Sequence, residues 1–103
     1  MSEIKFDLGN VVATRQLHDY LSENEYFNTF VGYYLTLYVA GNWGVLPLED
    51  WQQNDAAVVD GERILASYPI PADLREAVGG EDRIWIITEW DRSVTTILFP
   101  DEY

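Results

Sequence analysis

The chain has no cysteine, one histidine and one lysine, and each shortage removes a class of chemistry. Without thiols there is no disulfide framework, no thiolate nucleophile and no cysteine-based zinc site. His18 has no second histidine with which to share a metal, and on a short amphipathic stretch it reads as a surface residue. Lys5 belongs to no glycine-rich phosphate loop, and no Ser-His-Asp or Cys-His arrangement stands out. Glu49, Asp50 and Asp55 do not follow the twelve-residue spacing of a calcium loop. The expectation is a binding protein with no cofactor and no metal, rather than an enzyme.

Positive charge is the next shortage. Eighteen acids against six bases give a formal charge of −12, with the excess shared by both halves of the chain. Nucleic acid and anionic membranes carry dense negative charge, so direct binding to either is disfavoured. The same field attracts basic surfaces, which DNA-handling proteins present, and it also serves solubility.

Apolar and aromatic residues are plentiful: 48% of the chain is hydrophobic, with four Trp, seven Tyr and four Phe. That is enough to bury a core and offset the entropy of ordering, at a length suited to one domain over residues 1–103. The opening Met1-Ser2-Glu3-Ile4-Lys5 lacks the basic-then-apolar layout of a secretory leader, so a cytoplasmic location is expected.

Ile4, Phe6 and Leu8 alternate with polar residues and predict an extended segment. Thr14 is placed to cap a short helix through Leu17 and Leu21, and Ser22 with Glu25 has the spacing of a capping box for a second helix over about 23–40. No residue from Tyr26 to Leu48 is charged, which predicts a central helix buried on most sides. Its polar interruptions and the stop at Gly41 argue against a membrane span. After the turn Gly41-Asn42-Trp43-Gly44, Pro47 opens a third helix over about 48–59, with Leu48, Trp51, Asp55 and Val58 near one line and Glu49, Asp50 and Gln53 exposed. Strands are predicted at Ile64–Tyr68, Arg83–Trp90 and Ser93–Phe99, the last two joined by a tight turn near Asp91-Arg92. Pro69 to Asp82 reads as a surface excursion with a single helical turn. The predicted fold is α+β, with three N-terminal helices packed on a C-terminal three-stranded antiparallel β-meander.

The C-terminal run from Arg83 to Tyr103, with its Trp85-Ile86-Ile87-Thr88-Glu89, Asp91-Arg92-Ser93-Val94-Thr95-Thr96 and terminal Glu102-Tyr103, resembles a family of small acidic proteins encoded on plasmids and integrative elements. The resemblance extends to Phe6–Thr14, to Gly41-Asn42-Trp43-Gly44 and to Asn54-Asp55. Some family members carry a label as a subunit of type I restriction systems, but this chain has neither the cofactor loop nor the Asn-Pro-Pro-Tyr-like run of a methyltransferase. It also departs from the family in its longer connection from Pro69 to Asp82.

The resemblance implies a mobile-element context. Joined to the acidity, it suggests an inhibitor that occupies the basic DNA-binding surface of a restriction or CRISPR complex with carboxylates in place of phosphates. The acids expected to form that surface are Glu49, Asp50, Asp55, Asp60 and Glu62 along the third helix, with Asp73, Glu76, Glu81 and Asp82 in the excursion. Trp43 and Trp85 are the expected exposed aromatic anchors, for this partner or for a homodimer. Two alternatives stay open. One is a housekeeping or antitoxin-like binding protein of the element; the other is a small hydrolase using carboxylates such as Asp55, Glu89 and Asp91.

Overall fold

The computed structural model describes residues 4–103; residues 1–3, part of the amino-terminal stretch read above for a leader, lie outside the described residues. The chain runs β1 (Asn10–Ala13), α1 (Arg15–Glu23), α2 (Glu25–Val39), α3 (Leu48–Asp60), β2 (Ile64–Pro69), a single turn α4 (Ala72–Arg75), β3 (Arg83–Thr88) and β4 (Val94–Leu98). A 3-10 turn over Glu76–Val78 extends α4, and another over Pro100–Glu102 follows β4. The class is α+β, and the helices-then-meander order is present.

The sheet, however, has four strands in the order β1-β4-β3-β2, and it is mixed. Strands β2, β3 and β4 form the antiparallel meander, while β1 lies parallel to β4 with Val11 opposite Thr95. The amino-terminal extended segment was expected to hold Ile4, Phe6 and Leu8. The strand lies instead five to six residues on, at Asn10–Ala13, where exposed Val11 and Val12 give no clean alternation of buried and solvated positions. Four residues carry too little periodicity to be read as a strand.

β3 has apolar residues on both faces, as a central strand should. Ile84, Ile86 and Thr88 point with Ile64, Ala66, Tyr68 and Ile97 towards the helices, while Trp85 and Ile87 point to the other face with Leu98. Phe6, Leu17, Phe27, Val31 and Tyr38 close the core from the helical side. At about 25 cal/mol per Å² of apolar surface removed from water, burial of such side chains is the main drive for this packing.

Several local expectations are revised. α2 is not buried on most sides: Phe27, Val31 and Tyr38 are buried, but Tyr26 and Tyr33 are 75% and 56% exposed. Its cap is Asn24, whose side chain accepts from the Phe27 N–H at 3.0 Å, whereas the Ser22 hydroxyl donates back to the His18 carbonyl. Thr14 does stand at the N-cap of α1 but sends its hydroxyl to Glu102. On α3 the buried positions are Asn54 and Ala57, so Leu48 and Asp55 face solvent rather than the core. The Pro69–Asp82 excursion is held against the body by buried Ile70, Leu74 and Val78 and is closed by the Ile70 N–H on the Asp82 carbonyl.

Candidate functional site

The motif residues and the acidic residues separate in space by role. Trp43 is fully buried, packed against Phe6 and Tyr38, so the expectation of an exposed aromatic anchor is corrected there. A glycine turn suggests exposure, but the indole lies inward and its Nε1–H donates to Asp55 Oδ1 at 2.9 Å. Gly44 makes this possible: its φ of +78° suits glycine, and a β-carbon there would collide with the Ser67 carbonyl oxygen. The close approach lets Val45 N–H donate to the Ser67 carbonyl while Ser67 N–H donates to Trp43.

Asn54 works beside this contact. Its carboxamide nitrogen donates to the Leu65 carbonyl at 2.7 Å and its oxygen accepts from the Leu65 N–H at 3.3 Å, which pairs the outer edge of β2 as a neighbouring strand would. Glu102, from the terminal Glu-Tyr pair, accepts from the Thr14 hydroxyl, the Gln16 N–H and the Phe99 N–H, tying the C-terminus to the start of α1. Arg92, at a φ of 60° in the β3–β4 turn, donates to the carbonyls of Ala57, Glu62 and Glu89 and so closes the end of α3. Trp43, Asn54, Arg92 and Glu102 are thus braces between elements.

Apart from Asp55 and Glu102, the acids lie outside that brace. On α3, Glu49 and Asp50 occupy the first turn and Asp60 the last, all exposed, and exposed Glu62 follows the helix. Glu49, Gln53, Ala56 and Asp60 succeed one another at helical spacing along an exposed stripe beside buried Ala57, and Leu48 and Val59 are exposed further round the helix. Acids in a first turn are favoured by the helix dipole; Asp60 in the last turn is not, so helix stability does not account for it. Asp55 is exposed but has one oxygen committed to Trp43.

In the excursion, Asp73 and Glu76 are exposed, and Glu81 lies among Asp82, Asp101 and Glu102 beside the start of β3. Partial burial first, and the charge of Asp101 second, raise the Glu81 carboxyl above its usual range. Asp101 and Glu102 do not group with these acids in the sequence because they lie about twenty residues downstream of Glu81, and only the return of the chain past β3 brings them to it.

Few cations offset this surface. Among the described residues, Arg63 pairs with Glu89 at 3.7 Å and Arg83 with Asp82 at 3.3 Å, and His18 lies 3.9 Å from Asp19. Of the nine acids expected to form the partner surface, only Asp82 has such a partner among the described residues. Arg92 and Arg75 spend their donors on backbone carbonyls.

Trp85 stands on the sheet face away from the helices, half-buried, with Tyr103 edge-on at 5.7 Å. Next to it is a cavity of about 200 Å³ floored by Ile87 and Leu98 and lined by Arg63, Glu89 and Glu102. The carboxylates Asp55, Glu89 and Asp91 are not brought into one cavity: Asp55 holds Trp43, Glu89 faces Arg63, and Asp91 accepts the hydroxyl and N–H of Ser93, which lower its pKa. No helix among the described residues is long and apolar enough to cross a membrane. No protein-family model, curated protein or solved structure matches this chain.

Proposed function

We propose that this chain is an acidic binding protein of a mobile genetic element that inhibits a DNA-handling defence enzyme, of restriction or CRISPR type, by occupying its basic DNA-binding surface. The observation that carries the reading is the row of exposed carboxylates on and after α3, Glu49, Asp50, Asp60 and Glu62, none paired with a cation of its own chain among the described residues. A Lys and Arg cluster that holds phosphates binds such carboxylates through the same charge attraction. The resemblance to mobile-element proteins supplies the context. Inhibition needs no reaction, so the reading makes the protein a competitor for a surface and not an enzyme.

Efficiency of phage plating and plasmid transformation, in hosts that each carry one defined restriction or CRISPR system, tests the proposal. Expression of the protein should rescue plating against one system, and the double variant Asp60→Lys with Glu62→Lys should lose the rescue. These positions are chosen because positive charge at a helix C-terminus is favourable, so loss of inhibition would not trace to a weakened helix. No rescue across the panel would favour an antitoxin-like or housekeeping partner in the element. Rescue that survives the reversal would move the contact off the C-terminal end of α3.

A further inference from the structure

α2 turns an uncharged face to solvent in a molecule of charge −12. Tyr26, Asn28, Thr29, Gly32, Tyr33 and Thr36 are all exposed there. Gly32 lies in mid-helix, where glycine weakens the element, and a β-carbon at that position would meet nothing within 4 Å in this chain. No close approach inside the molecule explains it.

Charge decides what fits this face. A basic partner gains nothing where acids are missing, whereas two copies of −12 each repel least where neither presents charge. The two ends of the face also carry opposite signs. Glu25 opens α2, and Lys5 is fixed at its far end by the bond from the Lys5 N–H to the Val39 carbonyl at 2.8 Å. Both are exposed, and neither forms an ion pair among the described residues. Glu25 and Val39 each lie seven residues from Gly32, on either side, which at ~1.5 Å per residue is about 10 Å. We infer that a second copy of this chain packs α2 against α2, antiparallel about a twofold axis at Gly32, with each Glu25 opposite the other copy's Lys5. Twofold symmetry makes the pair occur twice, and the acidic row of α3 takes no part in it.

Sedimentation equilibrium of the whole chain tests this. One helix face buries less than the ~800 Å² per partner of tight complexes, so the series should run from about 1 μM to about 1 mM. The parent should show a reversible monomer–dimer equilibrium. Gly32→Glu, which sets two carboxylates at the axis, should stay monomeric with a thermal melt close to the parent's, because its β-carbon meets nothing within 4 Å on an exposed helix face. Glu25→Lys should weaken association about three- to tenfold, and adding Lys5→Glu should restore it. The exposed charge pair keeps the test decisive even if the glycine variant does not fold. A parent monomeric at about 1 mM, a dimeric Gly32→Glu protein, or a double swap no better than Glu25→Lys alone would each overturn the arrangement. The plating result on the α3 acids would be untouched by any of them.

Discussion

Thr88 sits in the middle of a polar chain that crosses the core. The Tyr38 hydroxyl donates to it at 2.7 Å, its own oxygen lies 2.7 Å from that of Thr95, and Thr95 donates to the Leu8 carbonyl at 2.7 Å. Since the Thr95 proton goes to Leu8, Thr88 must be the donor to Thr95, and the chain has one direction. All three side chains are buried, and burial raises the Tyr38 hydroxyl far above its ordinary pKa, which keeps it a neutral donor. Thr88→Val preserves the shape but takes away the short acceptor of Tyr38, leaving it only the 3.4 Å Ile64 carbonyl, and the donor to Thr95, which keeps its bond to Leu8. A loss of about 2 kcal/mol is expected, or a fall of roughly 10 °C in Tm for a domain of this size. Thr88→Ser, which keeps the hydroxyl, should lose clearly less in the same calorimetric comparison. Equal losses would mean that the methyl group and not the hydrogen bonds mattered.

Strand β2 would be an open edge if α3 did not pair with it. Leu65 meets the Asn54 carboxamide, and Ser67 meets the backbone of Trp43 and Val45, so alternate residues of the edge are satisfied without a fifth strand. Unpaired edges template association with other chains, and a buried asparagine is a compact way to close one. Asn54→Ala should destabilise the protein by about 2 kcal/mol in urea unfolding, with the Leu65 amide losing hydrogen-exchange protection first. Asn54→Asp should cost at least as much, because a carboxylate accepts from the Leu65 N–H but has nothing to donate to the Leu65 carbonyl. If the aspartate variant matched the parent, the carboxamide would not be acting as a strand surrogate.

For the molecule as a whole, −12 on 103 residues is a self-repelling surface. Screening of exposed charges becomes strong as the Debye length falls from about 30 Å at 0.01 M to about 10 Å at 0.1 M salt. The melting temperature should therefore rise between those two conditions, and rise less for the Asp60→Lys, Glu62→Lys variant, in which the repulsion is smaller. Binding to a basic partner should weaken over the same range, since the attraction it uses is screened by the same ions. A melt indifferent to salt would mean that the acids lie too far apart to interact.

Much of this was legible in the sequence because it depends on neighbours along the chain. α3, the meander strands, the Arg92 turn and the exposure of Glu49, Asp50 and Gln53 follow from periodicity, proline, glycine and charge, which act over a few residues. Charge itself, and the shortage of thiols and histidines, is a property of composition alone. The parts decided only by tertiary structure depend on what the chain meets elsewhere. Val11 and Val12 form a strand because β4 lies beside them, eighty residues away in sequence, and Thr14 is capped by Glu102 rather than capping. Trp43 points inward because Asp55 and Tyr38 wait there, and α2 leaves a face uncovered because the core is packed against one side of it only. Local sequence determines which element forms; which of its faces is buried is settled by packing, through contacts no window of neighbouring residues contains.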